Sequence, residues 1–228
     1  ASENFHLYGQ TSRLPLSTEI NSATDNPLIF ENGDGTYVVI SGGHFHGQYV
    51  AQAMDLVSIA MADLGSISER RLARLIDPTM SYGLPRNLLA GKKGLNTGFA
   101  TVQCSMSALV MENRTLSMPG SVDSIPGKSN AEDHVSNSTW CARKARTIVA
   151  NVEYIVATEI LMASQALSLI EPIAKDHPIG KGSKAALASL RTVVDPALDG
   201  DRWYATEMNL AHQHVRSGAV VEAVEAAI

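Results

Sequence analysis

Residues 48–76, "QYVAQAMDLVSIAMADLGSISERRLARLI", decide the fold class. Within them Val50, Met54, Val57, Met61 and Leu64 recur at intervals of three and four, the spacing that lines one face of an α-helix. A helix of about five turns is expected after Gly47. Leu72, Leu75 and Ile76 extend an apolar face, whereas Ser66-x-x-Glu69 has the form of a capping box that would restart a helix, and both readings stand. Asp77-Pro78 ends the element, because proline disfavours helical geometry in the residue before it.

Working outward towards the C-terminus, a loop carrying Gly83, Pro85 and Gly91 reaches Gly94. A helical stretch over 97–116 follows, with Ala100, Cys104, Ser107, Ala108, Met111 and Leu116 as its expected interior face. A second loop spans 117–131, and Ser129-x-x-Glu132 reads as a capping box opening the longest helix, which Glu171-Pro172 stops. Two shorter amphipathic segments, 183–194 and 201–226, complete the chain. Towards the N-terminus, residues 18–37 are dense in Asn, Asp, Gly and Ser and read as a long polar loop, with Val38-Val39-Ile40 as one short strand. The first 17 residues, with Gly9, Pro15 and Ser17, show no clear period. The expected organisation is an irregular arm over 1–17 and one mainly α domain of long helices over 18–228.

Composition narrows the function. The 228 residues carry 18 Lys plus Arg against 23 Asp plus Glu, a net charge of −5 with scattered basic residues, which disfavours tracking of nucleic-acid phosphates. Aromatics make up 5%, so the core is expected from Leu, Ile, Val, Ala and Met packed helix on helix. Cys104 and Cys141 lie far apart with no Cys-x-x-Cys, which suits a reducing compartment. The run Ile155–Ile170, interrupted by Glu159 and Gln165, is too short and polar to span a bilayer, and no secretion signal opens the sequence, so the expected location is the cytoplasm.

His44-x-His46 would share a metal ion if it lay on a strand, but no third ligand lies nearby in sequence, and a helix-entry role for His46 outweighs the metal reading. His212-x-His214 diverges on a helix and reads as surface. No metal site is expected. The loop "GSVDSIPGKSNAEDH", with Ser121, Asp123, Ser124 and Lys128, offers donors for an anionic substrate group, against a plain scaffolding role. Glu132 reads first as a cap and second as a carboxylate turned towards a ligand. Glu69, Arg70 and Arg71 read as an ion-paired surface, and Phe45 as core.

Six strings, "EINSATDNPLIF" (19–30), "SGGHFHGQ" (41–48), "LGSISERR" (64–71), "GLNTGF" (94–99), "ENRTLSMPGSVDSIP" (112–126) and "EDHVS" (132–136), resemble in order and spacing the C-terminal half of the histidine and aromatic amino acid ammonia-lyases. "LDGDRWYATEMNLAHQHVRSG" is similar to that family's closing segment, so the chain is expected to end where the family ends, and "SVDSIPGKSN" echoes the signature loop of the wider fumarase and aspartase superfamily. The resemblance implies a subunit of long, roughly parallel helices. It also implies a tetramer with composite active sites, and elimination of ammonia from an amino acid by a methylidene-imidazolone electrophile formed from an internal Ala-Ser-Gly.

No Ala-Ser-Gly occurs in these 228 residues, and the family's tyrosine base and carboxylate-binding arginine would lie upstream. No catalytic residue is therefore assigned within this chain, which alone is expected to be inactive. By resemblance, Phe45 faces the substrate and the electrophilic ring, Glu132 meets the substrate as in histidine-specific members, and Thr97 lines the pocket. His44 stands where the family usually has asparagine, and Ala131 where it usually has an amide residue. Glu132 favours histidine, because a carboxylate accepts from an imidazole N–H while an apolar ring would leave it buried and unpaired. The expected function is the C-terminal portion of an amino acid ammonia-lyase, foremost of histidine ammonia-lyase (histidine to urocanate plus ammonia), as a split, cleaved or truncated form. Its expected partners are an amino acid substrate and either further copies or a complementary N-terminal half, with no nucleic acid and no membrane. The alternative is a catalytically silent helical oligomerisation module. A fumarase-like lyase using residues 121–130 without a prosthetic ring lacks a nameable base.

Overall fold

The computed structural model describes residues 2–170 and 177–228, the side chains of residues 2–9 and of Lys128 excepted. Among the described residues the elements are α1 (Ser2–Glu19), β1 (Leu28–Glu31), β2 (Tyr37–Ile40), α2 (Gln48–Leu75), α3 (Ala100–Leu116), α4 (Ser138–Ile170), α5 (Lys181–Leu190), α6 (Tyr204–Arg216) and α7 (Ala219–Glu225). The protein is mainly α, as the periodicity predicts. The chain forms two compact units, the first of residues 1–62 and 114–149, the second of 63–113 and 150–228. The division falls inside α2, α3 and α4.

The expected irregular arm is helical. Pro15 sits inside α1, and the hydroxyls of Ser17 and Thr18 bond back to the carbonyls of Arg13 and Leu14 instead of making turns. Of residues 10–19 only Ser12 is buried, bonded to the carbonyl of Ala53, so this stretch of the helix shows no buried apolar face from which a period could be read. The expected polar loop over 18–37 contains β1, which pairs antiparallel with β2 in the register Leu28 opposite Ile40 and Glu31 opposite Tyr37.

The helix α2 runs unbroken through Ser66–Glu69, so that motif is no capping box. Apart from Leu72, its most buried side chains are small or polar, Ala51, Asp55, Ser58, Ser68 and Glu69, while the predicted apolar stripe from Val50 to Leu64 is only half-buried. Small residues let a neighbouring helix approach: in the second unit a Cβ on Gly65 would stand 3.0 Å from Val152 Cγ2 of α4. Glu69 is no surface residue. It lies 2% exposed and accepts hydrogen bonds from Arg70, from Gln103 Nε2 at 2.5 Å and from Ser107 Oγ at 2.8 Å, the last two on α3. Glu159 of α4 joins α2 through Ser68 and Arg71.

In the second unit, α3 buries Val102, Met106, Val110 and Asn113, whereas Cys104, Ala108 and Met111 of its predicted interior face are exposed. Phe99, Leu72, Leu88, Ile155, Leu161, Met162 and Leu190 fill the core with them. The longest helix, α4, starts at Ser138 instead of near Ser129, because Ser129, Asn130 and Asn137 take left-handed φ values of 56°, 67° and 55° that no α-helix admits. It is described to Ile170, and the expected stop at Glu171-Pro172 lies outside the described residues. The expected helical segment over 201–226 is two helices, α6 and α7, parted at Gly218 with φ 89°. His212 and His214 are half-buried and not surface residues: His212 stacks on Tyr154, and His214 shares a 2.8 Å hydrogen bond with Ser189.

Residues 44–75 and 138–170 are each long and apolar enough, by length and composition, to cross a membrane, which corrects the shorter run read from the sequence. Both also carry charged side chains buried against neighbouring elements, Asp55, Glu69 and Lys144 among them, as packed core helices do.

Candidate active site

The turn "SGGHFHG" leads into α2 through a single 3₁₀ turn, His44–His46. Side chains two apart diverge there, so His44 and His46 do not point the same way as they would on a strand. Gly47 closes the turn at φ 78°, and a Cβ on it would meet Ser138 Oγ at 3.0 Å, so glycine is what lets the turn sit against the start of α4. Phe45, expected as core, is 53% exposed at the tip of this turn.

Opposite it in the first unit lies the loop 117–137, held by side chains from α2 and α4. Asp55 Oδ2 accepts from the Ser121 N–H at 2.8 Å, Lys144 Nζ donates to the Met118 carbonyl, and the two form an ion pair at 2.5 Å with side chains 5% and 1% exposed. Gln48 Nε2 reaches the Ser121 carbonyl at 2.9 Å. Asn137 Nδ2 donates to the carbonyls of Gly120 and Asp123, and Ser124 Oγ accepts from the Val135 N–H at 2.8 Å. Ser121 and Ser124 are therefore committed to holding the loop, and seven residues separate Asn130 from the first turn of α4, which removes the geometry expected of an anion-binding helix N-terminus.

Glu132 is not a cap. Its backbone pairs with that of Gly127, N–H to carbonyl in both directions at 3.0 and 3.4 Å, closing a small ring around the Lys128–Asn130 turn. Two residues on, His134 contacts the Phe45 turn: His46 Nε2 lies 3.1 Å from the His134 carbonyl and 3.0 Å from His134 Nδ1, with ring centroids 5.0 Å apart. With a proton on His46 Nε2, that nitrogen would donate to both acceptors. The first unit thus brings the segments carrying Phe45 and Glu132 together. Thr97 belongs to the second unit, exposed just before α3, where its N–H and that of Gly98 both donate to the Asp201 carboxylate.

Charge follows burial and partners. Burial pushes the Asp55 carboxyl up, but Lys144 and the N–H groups of Ser121 and Gly120 outweigh it and hold it below its ordinary value. Glu69 behaves alike: desolvation is overcome by Arg70, Ser107 and Gln103. Burial, with Asp55 beside it, pushes the Cys141 thiol up. No group of three or more His, Cys, Asp or Glu suited to a metal occurs among the described residues.

A model of the family described as aromatic amino acid lyase matches residues 10–192, four-fifths of the chain. The chain belongs to the aromatic amino acid lyase family. Among its relatives, the histidine ammonia-lyase of Symbiobacterium thermophilum is 46% identical over 211 residues, covering 92% of this chain and 40% of that protein. The crystal structure of histidine ammonia-lyase from Trypanosoma cruzi superposes with a TM-score of 0.84 at 42% identity over 94% of this chain and 40% of that one. Tyrosine aminomutase from Streptomyces globisporus does so with a TM-score of 0.87 at 36% identity, over 97% and 40%. This lyase chain therefore spans about two-fifths of the length of the relatives it matches.

Three features escape a reading of sequence patterns. His134 stood inside "EDHVS" with no spacing to single it out. Asp55 and Lys144 were hidden because each looks like one charge on an amphipathic helix. Asp201 was missed although Asp-Gly-Asp in a glycine-bearing turn is a signal for a carboxylate that captures backbone N–H groups.

Proposed function

We propose that this chain is the C-terminal portion of an amino acid ammonia-lyase acting on histidine, and that it supplies one wall of a composite site. The observation that carries the reading is the junction of the Phe45 turn and the Glu132 loop through His46 and His134, in a chain 46% identical to a histidine ammonia-lyase. Phe45 offers an aromatic face, half-exposed on a turn whose backbone is fixed, which fits packing against a planar ring contributed from elsewhere. A methylidene-imidazolone, formed from an Ala-Ser-Gly outside these residues, would supply the electrophile that takes the amino group's electrons. Glu132 accepts the imidazole N–H of histidine and orients the ring, and Phe45 excludes water beside it. The free thiols of Cys104 and Cys141 support a reducing, cytoplasmic setting.

The test is complementation. Mixed with an N-terminal half that contains Ala-Ser-Gly, the chain is expected to restore formation of urocanate from histidine, followed by its absorbance, while neither half alone turns over. Verified assembly without activity on histidine or aromatic amino acids would overturn the proposal. Loss of nothing measurable on replacing Phe45 and Glu132 would favour a silent oligomerisation module.

Association is the second expectation. Ile29, Tyr37 and Val39 of the hairpin are each more than 60% exposed, as is Tyr49 at the start of α2. A two-stranded hairpin so exposed is marginal by itself. The isolated chain is expected to form oligomers in light scattering, and a monodisperse monomer would contradict this.

A further inference from the structure

The buried Asp55–Lys144 pair has no part in the chemistry described so far, yet both charges are spent on one loop. Lys144 leaves α4 and donates to the carbonyl of Met118, and Asp55 leaves α2 and accepts the N–H of Ser121. The pair therefore grips the loop at both sides of Pro119-Gly120. Glycine is required between the two grips, because a Cβ on Gly120 would stand 2.9 Å from Trp140 Cδ1 and 3.0 Å from Cys141 Sγ. The far end of the loop is held by the His46–His134 contact. Between the two ends, Ser129 and Asn130 occupy left-handed backbone conformations that such residues hold only when their surroundings impose them.

We propose that Asp55 and Lys144 are positioning residues: a buried ionic latch that fixes the root of the loop 117–137 and so aims Glu132. The latch explains why two charges are buried in a face otherwise made of Ala51, Ser58, Cys141, Ala145 and Ile148. A pair kept for stability alone is replaceable by apolar side chains of similar volume with little loss, whereas a latch is not, because no apolar side chain replaces its bonds to Met118 and Ser121. The inference about aim rests on the proposed role of Glu132, while the latch itself rests on geometry alone.

Two double variants separate these meanings. Asp55→Leu with Lys144→Met removes both grips without leaving a lone buried charge, and Asp55→Asn with Lys144→Met keeps an acceptor for the Ser121 N–H. In the 228-residue chain, both are expected to keep the parent's helical circular dichroism. Amide exchange over 118–134 is expected to rise about tenfold or more in the first and less in the second, with exchange in α5 and α7 unchanged. Unchanged exchange in the loop, or an equal rise throughout the chain, would overturn the latch. In the chain complemented by its N-terminal half, the first variant is expected to lower kcat for histidine more than it raises KM, and intact turnover despite a loosened loop would overturn the positioning of Glu132. If the unmodified complemented enzyme does not turn over histidine, the proposed function fails instead, and the exchange result still decides the latch.

Discussion

Replacing Gly98 by alanine is expected to lower the melting temperature of the chain by about 10 °C, the largest effect of any single methyl group here. Gly98 has φ 69°, and a Cβ built on it would overlap the carbonyl oxygen of Asn87. That carbonyl cannot retreat freely, since it accepts the Phe99 N–H at 2.8 Å and Phe99 is buried in the core. Nor can Gly98 move away, because its own N–H and that of Thr97 are held by Asp201. A left-handed alanine costs about 1–2 kcal/mol on conformation alone, and displacing the Asn87 strand of the loop brings the total to about 3 kcal/mol. Gly83 provides the control: its φ is 99° but nothing lies within 4 Å of its Cβ position, so Gly83→Ala should show only the conformational part. Calorimetry on the two variants checks this, and equal, small shifts would mean that the Asn87–Gly98–Asp201 junction yields more easily than its hydrogen bonds imply.

That junction also illustrates what the sequence could and could not disclose. Helix existence was legible because α2 and α4 are long and strongly periodic, and Asp77-Pro78 stops α2 for a purely local reason. Which face is buried was not legible. The stripe Val50, Met54, Val57, Met61, Leu64 is a true period, but the first unit buries the neighbouring face of Ala51, Asp55 and Ser58 more completely, because small and paired side chains permit closer approach than bulky ones. On α3 the predicted face is again not the buried one, but there the bulkier Met106 and Val110 are inside and Cys104 and Met111 outside. Hydropathy ranks side chains by transfer from water, while packing at short interhelical distance selects for size.

The proposed site has a different origin. Phe45 and Glu132 were reached through resemblance, and nothing in their spacing, 87 positions apart, could have joined them. The connection is made by His46 and His134, each one or two residues from the position of interest, so local chain geometry carries the side chains of Phe45 and Glu132 wherever the histidine contact sets the backbone. The capping-box form of Ser129-x-x-Glu132 misled because the motif specifies side-chain types and not dihedrals, and the left-handed Ser129 and Asn130 make the helical geometry it needs unattainable.

In the complemented enzyme, Glu132→Leu is expected to reduce kcat/KM for histidine about a hundredfold while changing the value for phenylalanine little or raising it. A hydrogen bond to a charged acceptor contributes about 1.5–3 kcal/mol when its loss leaves the imidazole N–H unpaired, which at the upper end is the stated factor. An apolar ring gains from the same change, because it no longer faces a charged carboxylate that it must help to desolvate. Glu132→Gln should fall between, since the amide oxygen still accepts but without charge. The backbone pair between Glu132 and Gly127 involves no side-chain atom and is open to both variants. Equal losses on histidine and phenylalanine would show that the carboxylate supports the loop and does not read the substrate ring. Selectivity would then have to come from residues outside these 228.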